Sequence, residues 1–167
     1  MAKIITIPEA WAHRRDFSKK LKDLYTYVNA VMEPWDGPAA ICGVHDDWAI
    51  AGMDRNGLRP LRYTLTEDYL IAGSETGMVS IDESKIIKKG RVGPGQMIGV
   101  NFSERKFYND QKIKNILSSS KPFGDWTKKI IHIDKLVQSA DEEFRDIDSS
   151  NLRKRMASFA WTIEDIE

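Results

Sequence analysis

Apolar residues in the first part of the chain recur at steps of three and four: Phe17, Leu21, Leu24, Tyr25, Val28, Val31 and Met32. This spacing places their side chains on one face of a helix. Pro8 suits a first helical turn, because its missing N–H is not needed there. The residue before Pro34 is pushed out of the helical region. The pattern therefore predicts a helix over residues 8–33.

From residue 38 onward the pattern changes to short apolar or alternating runs, punctuated by Gly, Asn and Asp. Such runs are typical of antiparallel strands joined by tight turns. The predicted strands are 39–44, 47–53, 60–65, 69–72, 86–88, 96–102 and a short hairpin partner at 105–108. The later part of the chain is mixed, with helices predicted at 109–117 and 151–161, an ambiguous stretch at 126–137 and an acidic one at 139–148. This order indicates an α+β fold rather than a doubly wound sheet.

Length and charge exclude several classes of protein. The 167 residues suffice for one ordinary domain with a hydrophobic core. Lys plus Arg and Asp plus Glu both count 25, so the chain has no net charge to attract nucleic acid or anionic lipid. No apolar run approaches the roughly 18 residues of a membrane helix, and the apolar patch after Met1 is too short for a signal peptide. We expect a cytoplasmic protein without a nucleic-acid or membrane partner.

The candidate nucleophile and ligands of the chain are few and scattered. Cys42 is the only cysteine and lies in an apolar strand-like run, which predicts a small buried core residue rather than a reactive thiol. Strand alternation should point Cys42 and His45 to opposite faces. His13, His45 and His132 show no metal-ligand spacing. No Ser-His-Asp arrangement can be assembled, so the residues alone predict no catalytic centre and no metal or cofactor site.

Three glycine-containing turns are candidate binding sites. Residues 73–77 and 90–95 lack the Lys-Ser/Thr ending of a phosphate-binding loop, and turn chemistry explains both without a ligand. Asn56 and Gly57 could together supply an oxyanion hole. However, an Asn-Gly pair between two strand-like runs is also a strong hairpin signal, because both residues tolerate positive φ. The turn interpretation is favoured.

Several ordered blocks carry a resemblance to a known family. Residues 32–40 read Met-Glu-Pro-Trp-Asp-Gly-Pro-Ala-Ala, and residues 53–60 read Met-Asp-Arg-Asn-Gly-Leu-Arg-Pro, continued by Arg62 and Tyr63. Ser-Glu-Thr-Gly at 74–77 and Gly-Arg-Val-Gly-Pro-Gly-Gln-Met at 90–97 follow in order. Together with shorter matches at 7–11 and 159–165, these blocks resemble the large subunit of glutamate synthase. The block at 53–60 alone is less specific, since amidophosphoribosyltransferases and asparagine synthetases carry versions of it.

The resemblance implies the later part of a class II glutamine amidotransferase domain at residues 1–118, with a connecting segment towards the central domain at 119–167. Its fold would be part of an N-terminal-nucleophile αββα sandwich with mostly antiparallel strands. In this family a processed N-terminal cysteine attacks glutamine, an Asn-Gly pair forms the oxyanion hole, and the ammonia passes to an FMN site where 2-oxoglutarate becomes glutamate. The FMN and the iron–sulfur cluster belong to other domains of the parent enzyme.

No catalytic, cofactor-binding or metal-binding residue of the family carries over to this chain. Its glutaminase residues precede the block that here begins at residue 7, and Asn56-Gly57 matches a later turn. We therefore expect a fragment that is inactive alone, has an open sheet edge and exposed apolar surface, and pairs with the upstream half or the rest of the synthase. The alternatives are a non-enzymatic interaction or scaffold module of the same fold and, more weakly, a relative of amidophosphoribosyltransferase.

Overall fold

The computed structural model of the chain describes residues 15–32, 37–135 and 149–161. The chain divides into two units, with the break after Ile130, and each is described by itself. In the first unit the helices are α1 (Lys19–Val31), α2 (Asp110–Ser119) and α3 (Phe123–Thr127). Its strands are β1 (Ala40–His45), β2 (Trp48–Met53), β3 (Arg62–Thr66), β4 (Leu70–Gly73), β5 (Ile86–Arg91), β6 (Met97–Asn101) and β7 (Lys106–Tyr108).

Helix α1 is shorter than the predicted one. It begins after Ser18, whose side-chain oxygen accepts a hydrogen bond from the Leu21 N–H at 3.3 Å. This bond satisfies one of the free N–H groups of the first turn. Residues 15–18 are not helical, so the prediction of one unbroken helix over 8–33 was wrong. The predicted stop before Pro34 is confirmed, because α1 ends at Val31.

Sheet A has the strand order β1-β2-β6-β7, with every pair antiparallel. Alternation along its strands sends side chains to two cores. Trp48, Met97 and Tyr108 face α1 and α2, where Leu24 is fully buried. Ala51, Met53, Ile98 and Phe107 face the other way, into a second core. We call these the helix-side core and the inter-sheet core.

Sheet B has the order β4-β3-β5 and is also antiparallel throughout. Tyr63 on β3 stacks on Phe107 of sheet A, with ring centroids 5.7 Å apart. Leu61 and Val92, which flank this sheet, are buried in the same inter-sheet core. The first unit thus contains a helix layer and two antiparallel sheets packed face to face, which confirms the predicted α+β fold with antiparallel strands.

Strand β1 forms one edge of sheet A. Cys42 and Val44 lie opposite Ala51 and Ala49 of β2, so they project to the inter-sheet side. Nevertheless Cys42 is exposed and Val44 is 73% exposed. The prediction that Cys42 is a buried core residue was wrong. An apolar strand residue is buried only if another layer covers it, and the described part of sheet B leaves this one uncovered.

Helix α3 lies beyond residue 118, where the sequence predicts a domain boundary. Phe123 is 8% exposed and belongs to the helix-side core. Its ring and that of Trp126 lie 5.4 and 5.0 Å from Tyr27 of α1. Residues 123–127 therefore pack with the first unit.

The second unit contains the short helix α4 (Leu152–Ser158) and two 3₁₀ turns, Ile133–Lys135 and Ser149–Asn151. Helix α4 lies within the predicted helix 151–161 and ends before Ala160, which has a positive φ of 55°. The acidic stretch 139–148 lies outside the described residues. No helix in the described part of the chain is long and apolar enough to cross a membrane.

Candidate functional site

Three of the sequence blocks meet at one place in the first unit, which we call the signature junction. It comprises Ala39, residues 53–57 and residues 93–97. The Asp54 N–H donates to the Ala39 carbonyl at 3.0 Å, and the Gly95 N–H donates to the Asp54 carbonyl at 2.8 Å. The Met53 N–H donates to the Gln96 carbonyl at 3.0 Å, which extends the pairing of β2 with β6. Blocks that are far apart in the sequence are thus joined by backbone hydrogen bonds.

Gly57 is required at this junction for two reasons. Its φ of +61° lies in the left-handed region that favours glycine. A Cβ placed on it would lie 2.6 Å from Cγ and 3.1 Å from Cα of Pro94. The turn interpretation of Asn56-Gly57 fits this geometry, but the expected hairpin was wrong. Strands β2 and β3 belong to different sheets, so the turn is a crossing between sheets rather than a link within one.

Asp54 places a carboxylate in the interior of the junction. The residue is 3% exposed, and its Oδ2 accepts a hydrogen bond from the Asn56 N–H at 3.0 Å. Its Oδ1 is buried and has no hydrogen-bond partner in the described ranges. A buried polar group without a hydrogen-bond partner costs free energy, so this oxygen lowers the stability of the junction.

Asp110 and Lys114 hold the junction against α2. The Lys114 Nζ lies 2.9 Å from Asp110 Oδ2 and donates to the Gly95 carbonyl at 3.0 Å. Asp110 Oδ1 accepts the Met97 N–H at 3.0 Å. The Lys114 side chain is only 7% exposed, so this ion pair is largely removed from water. The sequence analysis missed both residues, although their spacing of four on a helix is the pattern of an ion pair.

The candidate nucleophile and bases do not come together. Cys42 and His45 are three residues apart on β1, which puts their side chains on opposite faces. The His45 Nδ1 instead lies 2.9 Å from Asp46 Oδ2, on an exposed turn. His132 is exposed, and His13 lies outside the described residues. Where the structure is described, no thiol–imidazole pair is formed.

The other glycine-containing turns are closed by their own contacts. A Cβ on Gly73 would lie 2.6 Å from the sulfur of Met78, which covers that position. The Gly93 N–H donates to the side-chain oxygen of Gln96 at 3.0 Å. No group of three His, Cys, Asp or Glu residues suited to a metal ion occurs in the residues that could be described. Both turns are held by contacts within the turn, and the one predicted at 90–95 begins only after Arg91, the last residue of β5.

Comparison with known proteins now places the chain in a class. A family model described as Glutamine amidotransferases class-II matches residues 1–126, which include the junction and both sheets. The chain belongs to the class-II glutamine amidotransferases.

Its similar curated relatives are glutamate synthases. The chain is 46% identical to the glutamate synthase [NADPH] large chain of Azospirillum brasilense over 170 aligned positions, which cover 100% of this chain and 11% of that protein. It is 38% identical to ferredoxin-dependent glutamate synthase 2 of Synechocystis, covering 99% of this chain and 11% of that protein. For the large chain of Bacillus subtilis the identity is 33%, with coverage of 98% and 11%.

The resemblance drawn from the sequence blocks is thereby confirmed. The chain spans about a tenth of the length of the relatives it matches. The junction is the place in the first unit where three of those blocks contact one another.

Proposed function

We propose that this chain is the later part of the glutamine amidotransferase domain of a glutamate synthase large subunit. The parent reaction would transfer the amide nitrogen of glutamine to 2-oxoglutarate, giving glutamate. In this proposal the chain supplies scaffold, namely the signature junction, sheet A with its helices, and sheet B. The thiol that attacks glutamine would come from another part of the polypeptide.

The uncovered edge of sheet A is the observation that carries the proposal. Strand β1 has no lysine, proline or bulge, the devices that usually protect a free sheet edge. Cys42 and Val44, which project to the inter-sheet side, are exposed. A working domain would bury such a surface, so we propose that further strands of the synthase cover it.

The residues of this chain also support the proposal that it is inactive by itself. Its only thiol lies on an exposed strand, and the nearest imidazole in the sequence is paired with Asp46 and points to the other face. An efficient cysteine nucleophile needs a neighbouring base or positive charge that stabilises its thiolate. We therefore propose that the chain by itself does not hydrolyse glutamine.

The proposed partner is the rest of the synthase, and the chain itself would hold no cofactor. FMN and the iron–sulfur cluster are expected in other domains of the parent enzyme. The relatives include NADPH-dependent and ferredoxin-dependent enzymes.

A chimera tests the proposal. The matching segment of the Azospirillum brasilense large chain, 46% identical, is replaced by residues 1–167 of this chain. We expect the chimera to fold and to keep glutaminase activity within about tenfold of the parent enzyme, while the isolated chain shows none. The matched control is the same chimera with Gly57→Val, which should disrupt the junction and abolish activity.

Two outcomes would contradict the proposal. The first is a well-folded chimera without glutaminase activity, which would favour the alternative of a non-enzymatic interaction module. The second is glutamine hydrolysis by the isolated chain that disappears in Cys42→Ala. That result would assign the nucleophile to Cys42.

A further inference from the structure

The carboxylate of Asp54 is buried in the signature junction with only one of its two oxygens bound. Its Oδ2 accepts a hydrogen bond from the Asn56 N–H at 3.0 Å, whereas Oδ1 has no hydrogen-bond partner among the described residues. The residue is 3% exposed. Burying a charge costs free energy unless the charge is paired and hydrogen-bonded. The described part of the junction therefore lacks a group that binds Oδ1.

The described cations of the chain do not supply this group. Lys114 is buried, and its Nζ is bound to Asp110 Oδ2 and to the Gly95 carbonyl. Arg55, the next residue in the sequence, is exposed. None of the ion pairs found among the described residues includes Asp54. The buried charge of Lys114 is thus balanced by Asp110, whereas no described group balances the charge of Asp54.

Asp54 lies one strand away from the open edge of sheet A. It directly follows β2, and its N–H donates to the carbonyl of Ala39, which directly precedes the edge strand β1. This bond extends the register in which Ala40 lies opposite Met53. Residues opposite each other in an antiparallel pair project to the same face. A strand added beside β1 would therefore bring side chains towards the Asp54 carboxylate across Ala39.

The distance across Ala39 determines which kind of side chain can reach Asp54. Neighbouring strands lie about 4.8 Å apart, so a strand beyond β1 would lie about 10 Å from the backbone of Asp54. A backbone N–H or a short side chain of that strand is too far away. Lys and Arg carry their charge on long apolar stems, which can pass over the single methyl group of Ala39. Their positive charge also complements the unpaired carboxylate.

We propose that a Lys or Arg side chain from a strand that covers β1 forms a buried ion pair with Asp54 and so completes the signature junction. The inference rests on the proposed function, because this strand would come from the rest of the amidotransferase domain of the synthase. Asp54 is then the residue through which the junction binds the remainder of that domain.

The same substitution in two contexts provides the direct test. Asp54→Asn removes the charge and keeps an oxygen that can accept the Asn56 N–H. In the isolated chain, where the cation is absent, the midpoint of thermal unfolding should stay unchanged or rise, because the lost charge was unpaired. In the chimera the midpoint should fall by at least about 5 °C, because the cation is left buried without its partner. Glutaminase activity of the chimera should fall with it.

Asp110→Asn is the matched control, since its partner Lys114 belongs to this chain. It should lower the midpoint in both contexts. If Asp54→Asn destabilises or unfolds the isolated chain as Asp110→Asn does, the partner of Asp54 lies within this chain and the inference is overturned. Equal effects of Asp54→Asn in the two contexts would also overturn it, and would indicate a water molecule as the partner of Oδ1.

The chimera separates this inference from the proposed function. An active chimera whose midpoint and activity are unchanged by Asp54→Asn would leave the proposed function standing and refute the ion pair. A folded chimera that is inactive without any substitution would refute the proposed function instead. The difference between its midpoint and that of its Asp54→Asn variant would still decide whether Asp54 has a cationic partner.

Discussion

Similar apolar residues are buried in the helix-side core but exposed on the inter-sheet side of β1. Leu24 and Met97 between the helices and the sheet are 0% and 1% exposed. Val44 is 73% exposed on the same sheet, because no described layer lies over it. Apolar character therefore does not decide burial on its own. The difference shows that, among the described residues, the helix side of sheet A is covered by another layer and the inter-sheet side of β1 is not.

The largest expected effect lies in the helix-side core. Leu24→Ala should lower the free energy of unfolding by about 4 kcal/mol, because it leaves a cavity at a fully buried site. Val44→Ala should change it by less than about 0.5 kcal/mol, as at other exposed sites. Urea denaturation followed by circular dichroism measures both. Similar losses in the two variants would mean that the β1 edge is covered in the isolated chain.

The ion pair beneath the junction should have the next largest effect. Asp110→Ala removes the partner of the buried Lys114 and the acceptor of the Met97 N–H. We expect a loss of about 2 to 3 kcal/mol. The control is Lys19→Ala, which breaks an exposed ion pair with Asp23 and should cost at most about 0.5 kcal/mol. Equal losses of stability in the two variants would show that the buried pair of Asp110 and Lys114 contributes no more than an exposed ion pair.

The contact between the blocks at 53–60 and 90–97 can be isolated with two glycines. Gly57 and Gly95 have nearly equal φ values, +61° and +64°, but a Cβ on Gly95 would meet nothing within 4 Å. Gly95→Ala should cost about 1 kcal/mol from its backbone conformation alone. Gly57→Ala should cost about 1 to 2 kcal/mol more, because it also collides with Pro94. Equal costs in thermal unfolding would show that Pro94 moves away freely.

The smallest effect concerns alkaline pH. The Tyr108 hydroxyl donates to the Glu104 carboxylate, and this hydrogen bond, with burial, raises the pKa of Tyr108. The unfolded chain would release this proton at about pH 10. The stabilisation is therefore present below pH 10 and is lost as pH rises towards the folded pKa.

Midpoints of urea denaturation measured between pH 8 and 11 check the direction of this change in stability. The wild-type midpoint should fall above pH 10, and the fall should be smaller in Glu104→Gln, which has no carboxylate charge. Asp82 serves as a control. Its hydrogen bonds with Ser84 lower the pKa of Asp82, so its contribution to stability changes only in acid and not in this pH range. A steeper alkaline fall in Glu104→Gln would contradict the assignment.

The sequence predicted local features better than tertiary ones. The strands were found within a few residues, because Gly, Asn and Asp mark turns by local chemistry. The start of α1 was missed because Ser18 as a cap outweighs the apolar pattern that extends before it. The exposure of Cys42 depends on which layer lies opposite, and no local pattern contains that information.

The candidate site was only partly predictable for the same reason. The blocks at 32–40, 53–60 and 90–97 were identified from the sequence, and so was the turn at Gly57. The place where these blocks meet was not predicted, because it depends on the chain crossing from sheet A to sheet B. Buried Asp54 and Lys114 were overlooked because an isolated charged residue is usually exposed.

The reactivity of Cys42 towards a maleimide tests the account most directly, because it is the only thiol of the chain and lies on the open edge. In the native isolated chain we predict labelling within about tenfold of the rate in denaturant. Mixing with the remainder of the amidotransferase domain of the Azospirillum brasilense relative should slow it at least about tenfold. Slow labelling of the isolated chain, or no protection on mixing when a binding assay shows assembly, would contradict the claim that β1 is an open edge covered in the whole domain.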